Sequence, residues 1–383
     1  MSKKSRFLAR TGLGLLLALC CLGGLGISLL IRISPVSISS PKLSIEQPLG
    51  EGEAFAFSYM RANLLRPFEL YILDGAEGFR ALSQGLMRSD IGPVWSPDGA
   101  QLAYKAVSEG ATRYHLMDAQ GGDSREITPD DTPKELIRWS PDGTRLAYLA
   151  YARQPDGTPS NSPTLCITEL STGVTHQASA GNIQDLVWLP DGPALLAVVQ
   201  ADDGVAIEAY AANGSHKQRI AEADYMRDAA YITLAPDAST VAYIRWGTDE
   251  DIDTLHIATL DGSASQSVRL RWLDGAIVWS PDSRRIAFVA LTDDYEYALY
   301  MMEAERAELR ELMLVNTGDE SGEILPAAPA WSPDGARLAI PSVSSPGGAA
   351  VYVMNADGTE RRQIFAAAGT GAMIYDLAWR PGE

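Results

Sequence analysis

The chain has 383 residues and a formal net charge of −18, from 31 basic and 49 acidic side chains. A surface this acidic repels phosphate backbones, which excludes nucleic acid as an expected partner and leaves basic proteins or cations. Of the three cysteines only Cys166 lies outside the apolar N-terminal segment, which excludes a disulfide framework in the rest of the chain.

The first 42 residues differ in charge from the remainder, since they contain six basic residues and no acidic one. Residues 1–10 form a basic tail. Residues 11–31 carry no charge, and as a helix they would span about 31 Å, close to the hydrocarbon thickness of a bilayer. The sequence predicts a transmembrane signal anchor over 11–31, with the tail cytoplasmic and the rest outside the cell membrane, periplasmic or extracellular. A cleaved signal peptide is the alternative, and it exports the same domain.

Residues 32–52 are rich in proline and serine and lack apolar periodicity, which predicts a flexible linker. From residue 53 onward one unit recurs every 44 to 52 residues. Its marker is a turn of the type Trp-Ser-Pro-Asp-Gly, in which proline presets φ and glycine supplies the positive φ after it. The copies, some of them altered, lie at 95–99, 139–143, 188–192, 234–238, 279–283, 331–335 and 379–382.

Strands with an alternating apolar pattern flank each turn, and four short strands per copy are typical of a propeller blade. The two ends of this region complement each other. Residues 54–57 match the second strand of the unit without a first strand before them, and residues 375–379 supply a first strand alone. The sequence therefore predicts an all-β, seven-bladed β-propeller over 53–383, closed by a composite blade from both termini.

These units resemble the repeat of the TolB-like, or WD40-like, propeller family and the related repeats of prolyl-oligopeptidase-type propellers. The resemblance rests on the turns above and on strands such as Leu102-Ala103-Tyr104. It covers residues 53–383 and implies the propeller fold, and the anchor together with the repeat style indicates a bacterial source.

No contiguous catalytic motif is present: a Gly-x-Ser-x-Gly elbow is missing, and the histidines lack ligand spacing. The histidines are His115, His176, His216 and His256. The sequence thus predicts a module without enzymatic activity that binds a protein, a peptide or another ligand. The alternative is a propeller enzyme of lactonase or lyase type, in which scattered carboxylates and a metal surround the central channel.

Two acidic loops between second and third strands are candidates for the binding surface, because such loops share one rim of a propeller. We call this surface the acidic rim. It comprises Trp246, Asp249, Glu250, Asp251, Asp253, Asp293, Asp294 and Tyr295. Its carboxylates suit calcium or a basic partner, and its aromatic side chains suit an anchoring role. A merely solvated pair of loops is the remaining interpretation, and no other cofactor is predicted.

Overall fold

The structure is a computed structural model that describes residues 43–46, 49, 53–60, 68–75, 78–83, 88–108, 111–128, 130–160, 162–179, 181–190, 194–201, 204–214, 217–222, 226, 229, 231–247, 252–273, 276–315, 328–344, 348–367 and 372–382. The predicted tail and signal anchor lie outside this range. Among the described residues no helix is long and apolar enough to cross a membrane.

The described chain consists of antiparallel strands joined by turns. The N-terminal strands are β1 (Leu43–Ile45), β2 (Ala54–Met60), β3 (Glu69–Asp74) and β4 (Gly78–Ala81). Next come β5 (Ser89–Trp95), β6 (Gln101–Ser108), β7 (Ala111–Asp118), β8 (Arg125–Glu126), β9 (Lys134–Trp139), β10 (Arg145–Ala150), β11 (Thr164–Glu169) and β12 (Thr175–Ser179).

The middle of the chain forms β13 (Asn182–Trp188), β14 (Ala194–Ala201), β15 (Gly204–Ala211), β16 (Lys217–Glu222), β17 (Tyr231–Leu234), β18 (Thr240–Trp246), β19 (Ile252–Thr259) and β20 (Ser265–Leu273). The remaining strands are β21 (Val278–Trp279), β22 (Arg285–Leu291), β23 (Tyr297–Glu303), β24 (Leu309–Leu314), β25 (Ala330–Trp331), β26 (Arg337–Ser344), β27 (Gly348–Asn355), β28 (Arg362–Ala367) and β29 (Met373–Trp379).

From β5 to β28 the strands pair in consecutive groups of four, each beginning with the strand that ends at a tryptophan or its equivalent. The apolar core lies between neighbouring groups. For example, Leu102 and Tyr104 of β6 pack against Ala54 and Leu70 of the preceding sheet. Each first strand therefore pairs within its own group and lies near the first strand of the next group.

The two ends of the chain share one sheet, of order β29-β2-β3-β4. Trp379 lies opposite Phe55 in the register, and their ring centroids are 4.4 Å apart. The backbone N–H of Arg380 donates to the carbonyl of Ala54 at 2.8 Å. The last strand thus occupies the first position of the sheet that the N-terminal strands begin.

Two features differ from the predicted plan. Residues 43–45 lie in the predicted linker but form β1, which pairs with the edge of β28 and makes a fifth strand in that sheet. The second difference is that β20 continues across to β22, with Leu273 opposite Ala290, so that two groups form one eight-stranded sheet.

The tryptophan-containing turns carry a repeated network of hydrogen bonds. Ser96 Oγ donates to Asp98 Oδ1 at 2.5 Å and accepts from the N–H of Gln101 at 2.9 Å, while Gly99 has φ of 66°. The same serine–aspartate bond recurs at Ser140–Asp142, Ser280–Asp282 and Ser332–Asp334. These carboxylates therefore hold turns together and have no catalytic arrangement.

The indoles connect neighbouring sheets. Trp139 Nε1 donates to the carbonyl of Val94, one residue before the tryptophan of the preceding copy, at 3.0 Å. Equivalent bonds join Trp95 to Ala378, Trp188 to Arg138, Trp279 to Thr233 and Trp331 to Val278. Because a buried indole N–H needs an acceptor, this bond fixes how far one sheet lies from the next.

Candidate functional site

The eight-stranded sheet brings part of the acidic rim together along one edge. Trp246 ends β18 and lies opposite Asp253 of β19. One step along the ladder, Ile252 pairs with Arg271 of β20, and Arg271 pairs with Leu291 at the end of β22. This register places the facing ends of β18 and β19 at the same edge as the second acidic loop, with Arg271 between them.

Tyr295 lies at the tip of the second loop and has an unusual backbone. Its φ is 62°, in the left-handed region that bulky residues rarely adopt, and 60% of its surface is exposed. Arg271 stacks on the ring with its guanidinium carbon 4.7 Å from the centroid, and its Nη1 donates to the tyrosine hydroxyl at 3.0 Å. An exposed aromatic side chain is thus held in one position by an arginine.

The two aspartates of this loop, Asp293 and Asp294, are both exposed. Asp293 Oδ1 lies 3.7 Å from Nε of Arg271. The described part of the acidic rim therefore combines acids with exposed aromatic side chains, and Arg271 is an addition to it. We call Trp246, Arg271 and Tyr295 the aromatic edge; Trp246 is 40% exposed. Sequence reasoning missed Arg271, because only the strand register shows that it reaches the neighbouring loop.

Asp253 does not belong to an exposed surface, which corrects its predicted place in the rim. It is 4% exposed. Its carboxylate accepts the N–H of Gly247 at 3.4 Å and the N–H of Leu273 at 3.1 Å. The side chain alternates inward on β19 and ties the first loop to the end of β20.

Asp249, Glu250 and Asp251 lie outside the described residues, so the structure does not place them. Within the described ranges, no group of three or more His, Cys, Asp or Glu side chains is arranged to hold a metal ion. Calcium binding by the acidic rim remains a prediction.

A second polar region lies on the first strands, which line the central channel in a propeller. Asp376 of β29 has φ of 52°, and its Oδ2 accepts the N–H of Gly92 and the hydroxyl of Ser58, both at 3.1 Å. Its surface is exposed, yet nearby protein atoms exclude enough water to raise the pKa of the carboxyl, despite these hydrogen bonds and the charge of Lys105.

Asp185, three residues before its tryptophan like Asp376, has a different role. It accepts hydrogen bonds from Arg138 at 3.0 Å, from Thr233 Oγ1 at 3.1 Å and from the N–H of Leu234 at 3.0 Å. These partners belong to the preceding and following first strands, so that this carboxylate ties three strands together.

Comparison with known proteins gives the fold and no closer relation. No family model matches the chain, and no curated protein matches it in sequence. An oligogalacturonate lyase in complex with manganese has a TM-score of 0.57 and 12% identity, over 87% of this chain and 99% of that chain. An oligogalacturonate lyase from Vibrio parahaemolyticus has a TM-score of 0.55 and 14% identity, over 82% and 91%. TolB from Acinetobacter baumannii has a TM-score of 0.47 and 13% identity, over 85% and 82%.

The all-β architecture and the first two likenesses identify the chain as a β-propeller protein. The likeness to TolB is too weak to establish a relation within the propeller class. The missing motif led to the prediction of a protein without enzymatic activity, and that prediction is wrong. The same fold carries oligogalacturonate lyases, so the lack of a contiguous motif excludes no activity.

Proposed function

We propose that this chain is a closed seven-bladed propeller, tethered to a membrane by residues 11–31, that binds a protein or peptide partner through its aromatic edge. The observation that carries the proposal is the exposed Tyr295 held by Arg271, at the same edge of the sheet as the exposed Trp246. Tyrosine, tryptophan and arginine dominate binding energy at protein interfaces, and a side chain that is already ordered loses little entropy on binding.

Support for the closed ring comes from the termini. β29 pairs with β2, Trp95 donates to the carbonyl of Ala378 at 3.2 Å, and Arg380 Nε donates to the carbonyl of Gly99 at 2.8 Å. The composite sheet is therefore joined to its neighbour by the same indole bond as the other sheets, and the bond from Arg380 adds to it. Six groups of four strands and this sheet together make seven blades.

Support for the membrane tether comes from the sequence: the charge-free run of residues 11–31 follows a basic tail, and an acidic domain comes after it. The topology predicted by the positive residues places the propeller outside the cytoplasm. Acids beside the aromatic edge, such as Asp293 and Asp294, suit a partner with a basic segment, whose approach they would accelerate.

The test is crosslinking of the full-length protein in its native cells, followed by purification and mass spectrometry. Changing Trp246→Ala and Tyr295→Ala together should remove a stoichiometric partner and leave the melting temperature unchanged. The matched control changes Ile220→Ala and Leu314→Ala, two side chains of similar exposure on outer strands. Loss of the partner from both double variants, or from neither, would exclude the aromatic edge as its site.

A second candidate is a propeller enzyme with its site at the central channel. The observation in its favour is Asp376, a channel-wall carboxylate with a raised pKa, since perturbed carboxylates occur at catalytic sites. Oligogalacturonate with manganese, the pair named for the similar lyases, is the first substrate to try. Products seen by mass spectrometry with the wild type and missing with Asp376→Asn would support this candidate, and an unchanged substrate would count against it.

A further inference from the structure

The repeats allow each position of a second strand to be compared across the copies. The residue opposite each turn tryptophan sets the alignment: Leu102 faces Trp95, and Phe55 faces Trp379. Three residues further along, five copies have a buried apolar side chain. These are Leu149, Val198, Ile244, Val289 and Pro341. The other two copies have Lys105 and Ser58 instead.

These two polar exceptions lie in neighbouring sheets near Gly92: Ser58 contacts it, and Lys105 pairs with Ile91, the residue before it. The N–H of Gly92 donates both to Ser58 Oγ, at 3.2 Å, and to Asp376 Oδ2, at 3.1 Å. Gly92 has φ of 62°, and a Cβ built on it would meet no atom within 4 Å. An open space therefore exists where the polar exceptions come together.

Lys105 has no direct protein partner at this space. Its ammonium group forms no hydrogen bond or ion pair with any residue that the structure describes. Burial lowers its pKa, and the charges of Glu135 and Asp376 offset this only in part. Lys105 is half-buried, and a partly desolvated ammonium group without a hydrogen-bond partner stabilises the fold less than the apolar side chains of the other copies.

Asp376 offers a complementary group. Both of its protein hydrogen bonds use Oδ2, which leaves Oδ1 to accept a bond from a ligand. Asp185, at the same position in another copy, uses both of its oxygens for the neighbouring strands. The difference sets Asp376 apart from a carboxylate that only links strands.

We propose that Lys105, Ser58 and Asp376, around the open space at Gly92, form a binding site for a small hydroxycarboxylate. The ammonium group of Lys105 takes the carboxylate, and Asp376 Oδ1 accepts a hydroxyl of the same molecule. A charge-assisted bond to Lys105 offsets its partial desolvation, which accounts for a lysine where five copies have a buried apolar side chain. The site is distinct from the aromatic edge, and binding at it requires no catalytic step.

The experiment is isothermal titration calorimetry of the full-length protein in detergent with glycolate, L-malate, D-gluconate and D-glucuronate, and with sorbitol and glucose as neutral counterparts. At least one hydroxycarboxylate should bind with a stoichiometry of one, and neither neutral compound should bind. Lys105→Met should weaken binding at least tenfold and raise the melting temperature. Asp376→Asn should also weaken it, while the matched change Asp185→Asn should leave the affinity of the folded protein unchanged.

Three results would overturn the site: no hydroxycarboxylate binds the wild type, Lys105→Met binds as tightly as the wild type, or Lys105→Met lowers the melting temperature and so shows that the lysine is structural. Gly92→Asn supplies a second variant, because asparagine tolerates positive φ and its side chain would fill the open space. It should abolish binding in a folded protein, and retained binding contradicts the site. Crosslinking at the aromatic edge is scored separately, so a failure of either proposal can be told from a failure of the other.

Discussion

The two rims of this propeller are built on opposite principles. On the rim of the tryptophan-containing turns, copy after copy repeats the same serine–aspartate bond and the same indole bond to the preceding sheet. On the other rim the loops between second and third strands differ from one another, and one of them carries Tyr295 with φ of 62°. Repetition accounts for the fold, and both proposed binding sites lie where the chain departs from the repeat.

The same reasoning distinguishes residues of one type. Asp98 and Asp142 lie in a conspicuous motif, yet their bonds are confined to their own turns. Asp376 lies in no motif, but it differs from most of its equivalents and borders an open space. A motif that recurs in seven copies, some of them altered, is therefore the least informative place to look for function here.

The largest effect is expected where the repeat region closes. A truncation after Thr370 removes β29, with its pairing to β2 and the Phe55–Trp379 contact. The melting temperature should fall by roughly 10 °C or more, because a whole strand and a buried tryptophan are lost. Truncation after Arg380, which keeps β29, is the control. An unchanged melting temperature for the longer deletion would mean that the termini do not close the fold.

A turn tryptophan tests the repeated rim itself. Trp139→Ala should cost about 3–5 kcal/mol of unfolding free energy in urea titrations, because the side chain is buried between sheets. Trp139→Phe keeps most of the packing but leaves the Val94 carbonyl without its donor, and about 1–3 kcal/mol should be lost. No loss of unfolding free energy in Trp139→Phe would show that the indole bond contributes nothing.

Substitution of two glycines with positive φ distinguishes the stability cost of left-handed backbone from the cost of a tight contact between blades. Gly99→Ala places a Cβ 2.7 Å from the carbonyl oxygen of Pro381, whereas Gly157→Ala on the opposite rim meets nothing within 4 Å. Left-handed backbone alone costs alanine about 1–2 kcal/mol, so Gly157→Ala should lose about that much and Gly99→Ala clearly more. Comparable losses in chemical denaturation would argue against the tight contact at Pro381.

The smallest expected effect is the loss of stability at low pH that follows protonation of Asp142. The hydroxyl of Ser140, with further bonds from Thr144, lowers the pKa of Asp142 from 3.8 to about 2. A carboxyl with a lowered pKa in the folded state stabilises it above pH 4, and this contribution disappears as the pH falls through 2. The melting temperature of the wild type should therefore exceed that of Asp142→Asn at pH 5, and the gap should close towards pH 2. A gap independent of pH would show that the charge is not responsible.

Much of the fold was predictable from local chemistry. Residues 375–379 and 54–57 could be matched as first and second strands because both keep the alternating apolar pattern of their equivalents, and β29 does pair with β2. The strand at 43–45 was missed since three residues carry too little pattern, and it forms where the edge of β28 offers backbone partners. The membrane topology and the number of blades are part of the proposed function.

The candidate site was less accessible to sequence reasoning. Acidic runs predict exposure, but alternation along β19 turns Asp253 inward to backbone donors. Arg271 is one of several arginines in its segment, and only the pairing of β20 with β22 brings it to Tyr295. Lys105 and Asp376 are far apart in the chain and form no motif. Residues that share a site without forming a motif escape sequence reasoning, so the missing motif gave no firm basis for predicting a lack of enzymatic activity.

The central claim, that the variable rim binds and the repeated rim only folds, is tested most directly by site-specific photocrosslinking of the full-length protein in its native cells. One crosslinking amino acid replaces Tyr295, and in a second protein it replaces Thr144, an exposed residue of a turn on the opposite rim. A discrete adduct from position 295 that is missing from position 144 is the predicted result. The same adduct from both positions, or an adduct from position 144 alone, would contradict the assignment of function to the variable rim.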